Sequence, residues 1–160
     1  MKTQHIRIRK VRPADIRRII EIERSWAHLS HWSEDSYYRL VNDDGFTASF
    51  LAEVEDHSGG STVAGFVIFH VAGTNSEVYN IAVDAEHARS GVGRQLMNTV
   101  VSESLKRYAN RVLLEVRKSN APAISFYKGF GFTVLGERKN YYSNPIEDAY
   151  VMEKKLRGEN

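Results

Sequence analysis

The stretch from Val78 to Leu105 constrains this chain more than any other. Val78-Tyr79-Asn80-Ile81-Ala82-Val83 reads as a strand, and after a short polar turn Arg89-Ser90-Gly91-Val92-Gly93-Arg94 opens a helix. Val92, Leu96, Met97, Val100, Val101 and Leu105 recur at three- and four-residue spacing. That spacing gives the helix an apolar stripe to bury. Two glycines one residue apart let the backbone curl tightly and gather successive N–H groups. The helix start behind them adds roughly half a positive charge, so the turn suits phosphate. Gly-x-Gly also serves as plain punctuation between a strand and a helix. No Lys-Ser/Thr follows, which excludes a Walker loop, and Leu96 stands where the dinucleotide fingerprint needs a small residue.

The chain has 160 residues, enough for one compact domain spanning 1–160. Its formal net charge is only +2, so composition demands neither nucleic acid nor an anionic membrane surface. Cysteine is absent, which excludes disulfides, thiolate metal sites and a covalent Cys intermediate. The six histidines are scattered; His28 and His31 lie three apart with no third ligand nearby, so no metal site is expected. The first residues lack an apolar signal region and no apolar run reaches membrane-spanning length; a soluble cytoplasmic protein is expected.

In order, His5–Val11 alternates as a strand, and Pro13 suits the first position of a helix whose apolar side is Ile16, Ile19, Ile20 and Trp26. Lys2, Arg7, Arg9, Lys10, Arg12, Arg17 and Arg18 form a basic cluster, read as a solvated face. Ser33-Glu34-Asp35 caps a second helix to about Val41, and Asn42-Asp43-Asp44-Gly45 is a turn. Strands follow at 46–54 and 62–71, joined by a flexible loop, then the strand at 78 and the long helix. Arg111–Arg117 is a strand with Leu113, Glu115 and Arg117 on one face. A short helix runs from Ala121 to Lys128, and strands at 132–137 and 149–156 close the chain, separated by the segment 138–145. The order predicts a mixed α/β fold with helices on a largely antiparallel sheet.

Six ordered segments resemble the GNAT acetyltransferase superfamily. They are Asn80–Val83, Gly91–Arg94, Leu114–Ala121, Phe126-Tyr127 with Gly131-Phe132, Arg138–Tyr142 and Glu147–Met152. Ala27-His28 and Trp32-Ser33-Glu34 extend the likeness upstream. Within the superfamily the chain is similar to the RimI group, the bacterial N-terminal-alanine acetyltransferases of a ribosomal protein. Two departures stand out. Ala88 occupies the place where the phosphate loop usually begins with Gln or Arg, and Ser30-His31 replaces the usual Phe-Pro before Trp32.

The resemblance implies six to seven strands and about four helices, splayed between the fourth and fifth strands. It implies acetyl-CoA as donor, held by Ile81, Ala82, Val83, Arg89, Ser90, Gly91, Val92, Gly93, Arg94, Asn120 and Tyr127. Trp32, Asn80, Glu115, Tyr141 and Tyr142 would bind the acceptor. The acceptor would be the N-terminal α-amine of a protein or peptide, a ribosomal protein among the candidates, which attacks the thioester directly. An α-amine of pKa about 7.7–8.0 is roughly one-fifth neutral near neutral pH, and a lysine amine roughly one-thousandth, so the former asks less of a base. The resemblance makes Glu115 that base, acting through water with a pKa raised by partial burial, and Tyr127 the acid for the departing thiolate. By position alone Glu115 is a sheet-face residue beside Arg117, Tyr127 a core tyrosine and Asn120 a helix cap. Two alternatives remain open: a GNAT enzyme for a lysine side chain or small amine, and a non-catalytic acyl-CoA-binding or RNA-associated module.

Overall fold

The computed structural model describes residues 4–26, 29, 31–42 and 45–157. Lys2, Ala27, His28, Ser30 and the middle of the Asn42–Gly45 turn lie outside them. The elements are β1 (Ile6–Lys10), α1 (Ile16–Arg24), α2 (Glu34–Val41), β2 (Thr47–Glu55), β3 (Ser61–Ala72), β4 (Asn75–Val83), α3 (Val92–Lys106), β5 (Arg111–Arg117), α4 (Ala121–Gly129), β6 (Thr133–Tyr142) and β7 (Glu147–Lys155). Short 3-10 turns precede α1 and α3.

The strands form one sheet in the order β1-β2-β3-β4-β5-β7-β6. Among the described residues, only the β4–β5 neighbours run parallel. On one face, Ile16, Ile19, Ile20 and Ile22 of α1 and Tyr37 of α2 pack on Leu51, Phe66 and Ile68. On the other, Val92, Leu96, Met97 and Val100 of α3 and Tyr127 of α4 pack on Val67, Phe69, Val78, Val112 and Leu114. Of the stripe legible in α3, Val92, Leu96, Met97 and Val100 are buried, Val101 and Leu105 are only partly so, and the polar Ser104 is buried in the same helix.

Two features shape the middle of the sheet. β4 pairs with β5 only through Asn75, Ser76 and Glu77, facing Arg111, Val112 and Leu113. Beyond them Val78–Val83 and Leu114–Arg117 share no ladder, so the sheet opens into a slot. Tyr79 causes part of this: Asn80 faces Ile68 and Val78 faces Phe69, which leaves Tyr79 as an extra, bulged residue. A bulge bends its strand and flips the side-chain alternation. Val78 accordingly joins the α3-side core, while Asn80 and Ala82 turn toward α1 and α2.

Three differences from the sequence reading have physical reasons. α1 ends at Arg24, so Trp26 lies beyond it, and its indole N–H bonds a strand carbonyl instead of extending the helix stripe. β4 begins at Asn75, immediately after the tight turn at Gly73, whose φ is +58°. β6 continues to Tyr142, so Tyr141 and Tyr142 sit on a strand and not in a loop. Arg138 faces Ala149 and Tyr142 faces Glu147, a wide irregularity. It is held by Asn140 at φ +50° with its N–H on the Asp148 carboxylate at 2.9 Å. Asn at positive φ with an Asx-type bond is turn chemistry, which is why the sequence looked loop-like. The basic cluster is also less solvated than expected: Arg9 bonds Asp15 and Glu53, and Arg18 bonds Asp84.

Candidate active site

The slot between β4 and β5 holds a cavity of about 80 Å³. Its walls include Asn80 and Ile81 from β4, Glu115 and Arg117 from β5, Asn120 and Tyr127 from α4, and Tyr142 from β6. A wider hollow of about 690 Å³ adjoins it, lined by Leu29, His31, Arg117, Tyr141, Tyr142, Ser143 and Asn144. Leu29, Arg117 and Tyr142 border both, so the hollow is an approach to the slot.

The backbone of β4 is turned to use. Asp84 N–H donates to the Ala64 carbonyl at 2.7 Å. In an antiparallel ladder such groups alternate, so Ala82 and Asn80 direct their backbone groups to β3 and Ile81 and Val83 direct theirs to the slot side. The Val83 carbonyl already accepts the Trp26 indole N–H at 2.8 Å. This leaves Ile81 and the Val83 N–H for a ligand.

At the mouth of the slot the phosphate-type turn differs in detail from the two-glycine picture. Gly91, the residue before α3, has φ +90°, and the second left-handed residue is Arg89, at φ +59°. Gly93 is not at positive φ, and a Cβ there would make only ordinary contact with Phe126. Alternating left- and right-handed residues create the anion-binding backbone concavity. No side chain caps α3, and Gln95 N–H is its first to bond back, to the Gly91 carbonyl at 3.0 Å. The N–H groups of Val92, Gly93 and Arg94 precede that bond and suit an anion. Ser90 Oγ is committed to the His87 carbonyl.

Glu115 is largely buried, with 12% of its side chain exposed, and its Oε1 lies 3.3 Å from Arg138 Nε. Burial first, and the Glu77 carboxylate second, push its pKa up against the pull of Arg138. Tyr127 is buried, edge-on to Phe126 and Phe132, and burial pushes its phenol up to about 12. Both line the same cavity. Tyr142, raised likewise by burial, lies under Arg117, whose guanidinium carbon is 4.3 Å from the ring centroid. Arg117 also donates to the Pro145 and Ser143 carbonyls at 3.1 and 3.3 Å, pinning the β6–β7 turn beside the slot. Tyr141 stands edge-on to Tyr142, with centroids 5.0 Å apart, and Arg138 lies over its ring.

The other anticipated residues have partners that narrow what they can do. Asn120 caps α4, its Oδ1 accepting from Ala123 N–H at 3.3 Å. Asn80 lies in the slot wall, but its Nδ2 donates to Glu23 Oε2 and the Tyr37 hydroxyl at 2.9 and 3.0 Å. Trp32 packs on Tyr37 and Tyr79 and does not line either cavity. Glu23, Trp26, Leu29 and Arg138 belong to the site but were not anticipated as site residues. Glu23 had a legible signal: it continues the Ile16-Ile19-Ile20 stripe of α1, a core position occupied by an acid. Among the described residues no cluster of three or more His, Asp or Glu is placed to hold a metal, and no helix is long and apolar enough to cross a membrane.

The profile of the Acetyltransferase (GNAT) family matches residues 14–132. The chain belongs to the GNAT acetyltransferase family. It is 34% identical, over 95% of its length and 96% of the relative's, to the putative ribosomal protein bS18-alanine N-acetyltransferase of Bacillus subtilis. The crystal structure of the ribosomal-protein-S18-alanine N-acetyltransferase from Escherichia coli superposes with a TM-score of 0.80 at 29% identity, covering 98% of this chain and 97% of that one. Ard1 from Thermoplasma volcanium gives 0.82 at 27% identity, covering 96% and 99%. The GNAT fold and the assignment as an N-acetyltransferase follow, and the opening between β4 and β5 is the splay that the resemblance implied.

Proposed function

We propose that this GNAT enzyme transfers an acetyl group from acetyl-CoA to the N-terminal α-amine of a protein, with an Ala-type terminus on a ribosomal protein as the favoured acceptor and the cytoplasm as its place of action. The observation that carries the reading is the slot, where a largely buried carboxylate and a buried phenol line one small cavity beneath a hollow walled by two tyrosines. The whole chain, 1–160, serves as one catalytic domain.

Bound acetyl-CoA supplies the thioester carbonyl. Val92, Gly93 and Arg94 offer N–H groups for its pyrophosphate, and Ile81 and Val83 offer backbone partners for its amide-bearing arm. The slot-facing Val83 N–H is the donor for the carbonyl oxygen as negative charge develops there. Glu115, its pKa pushed up by burial and by the Glu77 carboxylate, takes the amine proton through water. Tyr127 keeps its proton at neutral pH because burial disfavours the phenolate, and gives it to the departing thiolate. The C–N bond forms as the C–S bond breaks; the proton that Glu115 gains and the one that Tyr127 loses balance, and exchange with water restores both groups. Tyr141 and Tyr142 line the peptide's approach, with Arg117 fixing Tyr142. Asn120 and Asn80 act chiefly as supports, each held by protein partners.

Relatives named as alanine N-acetyltransferases support the α-amine over a lysine or small amine. A mass-spectrometric screen with acetyl-CoA and peptides beginning in Ala, Ser or Met tests it. Acetylated N-termini, with Ala foremost, are expected; small amines accepted while all peptides are refused would replace the acceptor assignment.

A further inference from the structure

Glu23 is a charged group that the proposed chemistry leaves unused. It lies on α1 among the buried positions Ile16, Ile19, Ile20 and Ile22 and is itself fully buried. A carboxylate in such a place is costly unless donors satisfy it. Two do. Trp32 backbone N–H donates to Oε1 at 3.0 Å and Asn80 Nδ2 donates to Oε2 at 2.9 Å. Trp32 directly follows His31, a wall of the acceptor hollow, while Asn80 is a wall of the slot. The same segment is fastened to β4 a second time, by the Trp26 indole on Val83.

We propose that Glu23 is a positioning residue for the acceptor: its carboxylate ties the backbone beside the hollow to the slot wall on β4, and so sets the peptide's approach relative to the thioester. This rests on the acceptor entering through the hollow. Both hydrogen bonds are assisted by the carboxylate charge, and such bonds are roughly twice as strong as neutral ones. Protonating Glu23 therefore loosens the tie without cutting it. Asn80 and the Trp32 N–H contact the carboxyl, the Tyr37 hydroxyl stands behind Asn80 as the second acceptor of its amide, and His31 and Arg24 act on the carboxyl through charge and favour ionisation. Burial outweighs them and holds the group near pH 7.

The chain has two tryptophans, and both are in this linkage, so their emission reports on it without any turnover. In the enzyme, Trp emission is expected to titrate near pH 7, to keep that transition in His31→Asn and in His70→Asn, which removes the imidazole stacked on Tyr79 beside Trp32, and to lose it in Glu23→Gln. With an Ala-initiated peptide at a fixed pH above 8, Glu23→Gln is expected to raise acceptor KM about tenfold. kcat should fall less than KM rises, and the acetyl-CoA Kd should stay within about twofold. Glu23→Asp, which keeps the charge, should restore part of the loss. Should Glu23→Gln fold poorly, Asn80→Ser cuts the other end and should raise KM likewise. An unchanged KM in a folded Glu23→Gln, or an emission transition that persists there with the same midpoint, overturns the proposal. If the wild-type enzyme refuses every peptide, the acceptor assignment falls separately, and the emission titration still decides whether the linkage exists.

Discussion

At Glu115 burial and the nearby Glu77 carboxylate oppose the Arg138 guanidinium, and the first two prevail. A general base must be ionised, so the acidic limb of kcat/KM should rise with pH through a pKa above the ordinary Glu value. Arg138→Gln removes the opposing cation and should move that limb to higher pH; a limb moving lower, or not at all, would separate Glu115 from the titration. Glu115→Gln and Tyr127→Phe should each slow turnover by about 10²–10⁴-fold. Acetyl-CoA binding, followed by calorimetry, should survive both substitutions. Wild-type rates in both variants would place the proton transfers elsewhere. The residue types in this site were legible in the sequence because they fall within dense motifs. Their constraints were not: Asn80 looked free to meet substrate, and only the fold places Glu23 and Tyr37 within reach of its amide.

Elements position these groups by close approach. Gly65 of β3 sits opposite Val83, and a Cβ there would lie 2.8 Å from the Ala82 carbonyl oxygen and 3.0 Å from Val92 Cγ1. β4 and the start of α3 therefore meet over this residue. Gly65→Ala should push them apart and destabilise the protein by about 1–3 kcal/mol in chemical denaturation. It should also weaken acetyl-CoA binding, since it disturbs both backbone surfaces proposed to hold that ligand. The α3 stripe and the Ser33 and Asn120 caps could be read from sequence because their causes are local. The length of β6 could not, since Asn140 and Asp148 supply turn chemistry inside a strand. The Tyr79 bulge left no local mark at all. It is visible only in the register against β3, although it decides that Asn80 and Val78 face opposite sides.

Across the molecule, the sheet carries helices on both faces, and Glu23 lies in the interior of one of these layers. Its folded-state pKa near 7 exceeds the value of about 4.5 for an unhindered Glu, so between these values the native state binds more protons than the unfolded chain. Stability from this group is therefore greatest below pH 4.5, falls as pH rises to 7, and is level above. The stability difference between wild type and Glu23→Gln should decline by about 3 kcal/mol across that range. A difference that grows with pH would mean that the hydrogen bonds and neighbouring cations outweigh burial and that the fold favours the ionised carboxyl. The overall architecture was legible because strand and helix periods alternate in an order that few folds accept. The slot was an inference from resemblance, since the absence of a ladder beyond Glu77 has no signature in either strand alone.

The most direct test uses one Ala-initiated peptide carrying an internal lysine, with acetyl-CoA, in three forms: unmodified, blocked at the α-amine, and blocked at the lysine. Fragment-ion mass spectrometry should place the acetyl group on the α-amine of the unmodified and lysine-blocked forms, with no product from the α-blocked form. Undiminished transfer to the α-blocked peptide would contradict the account.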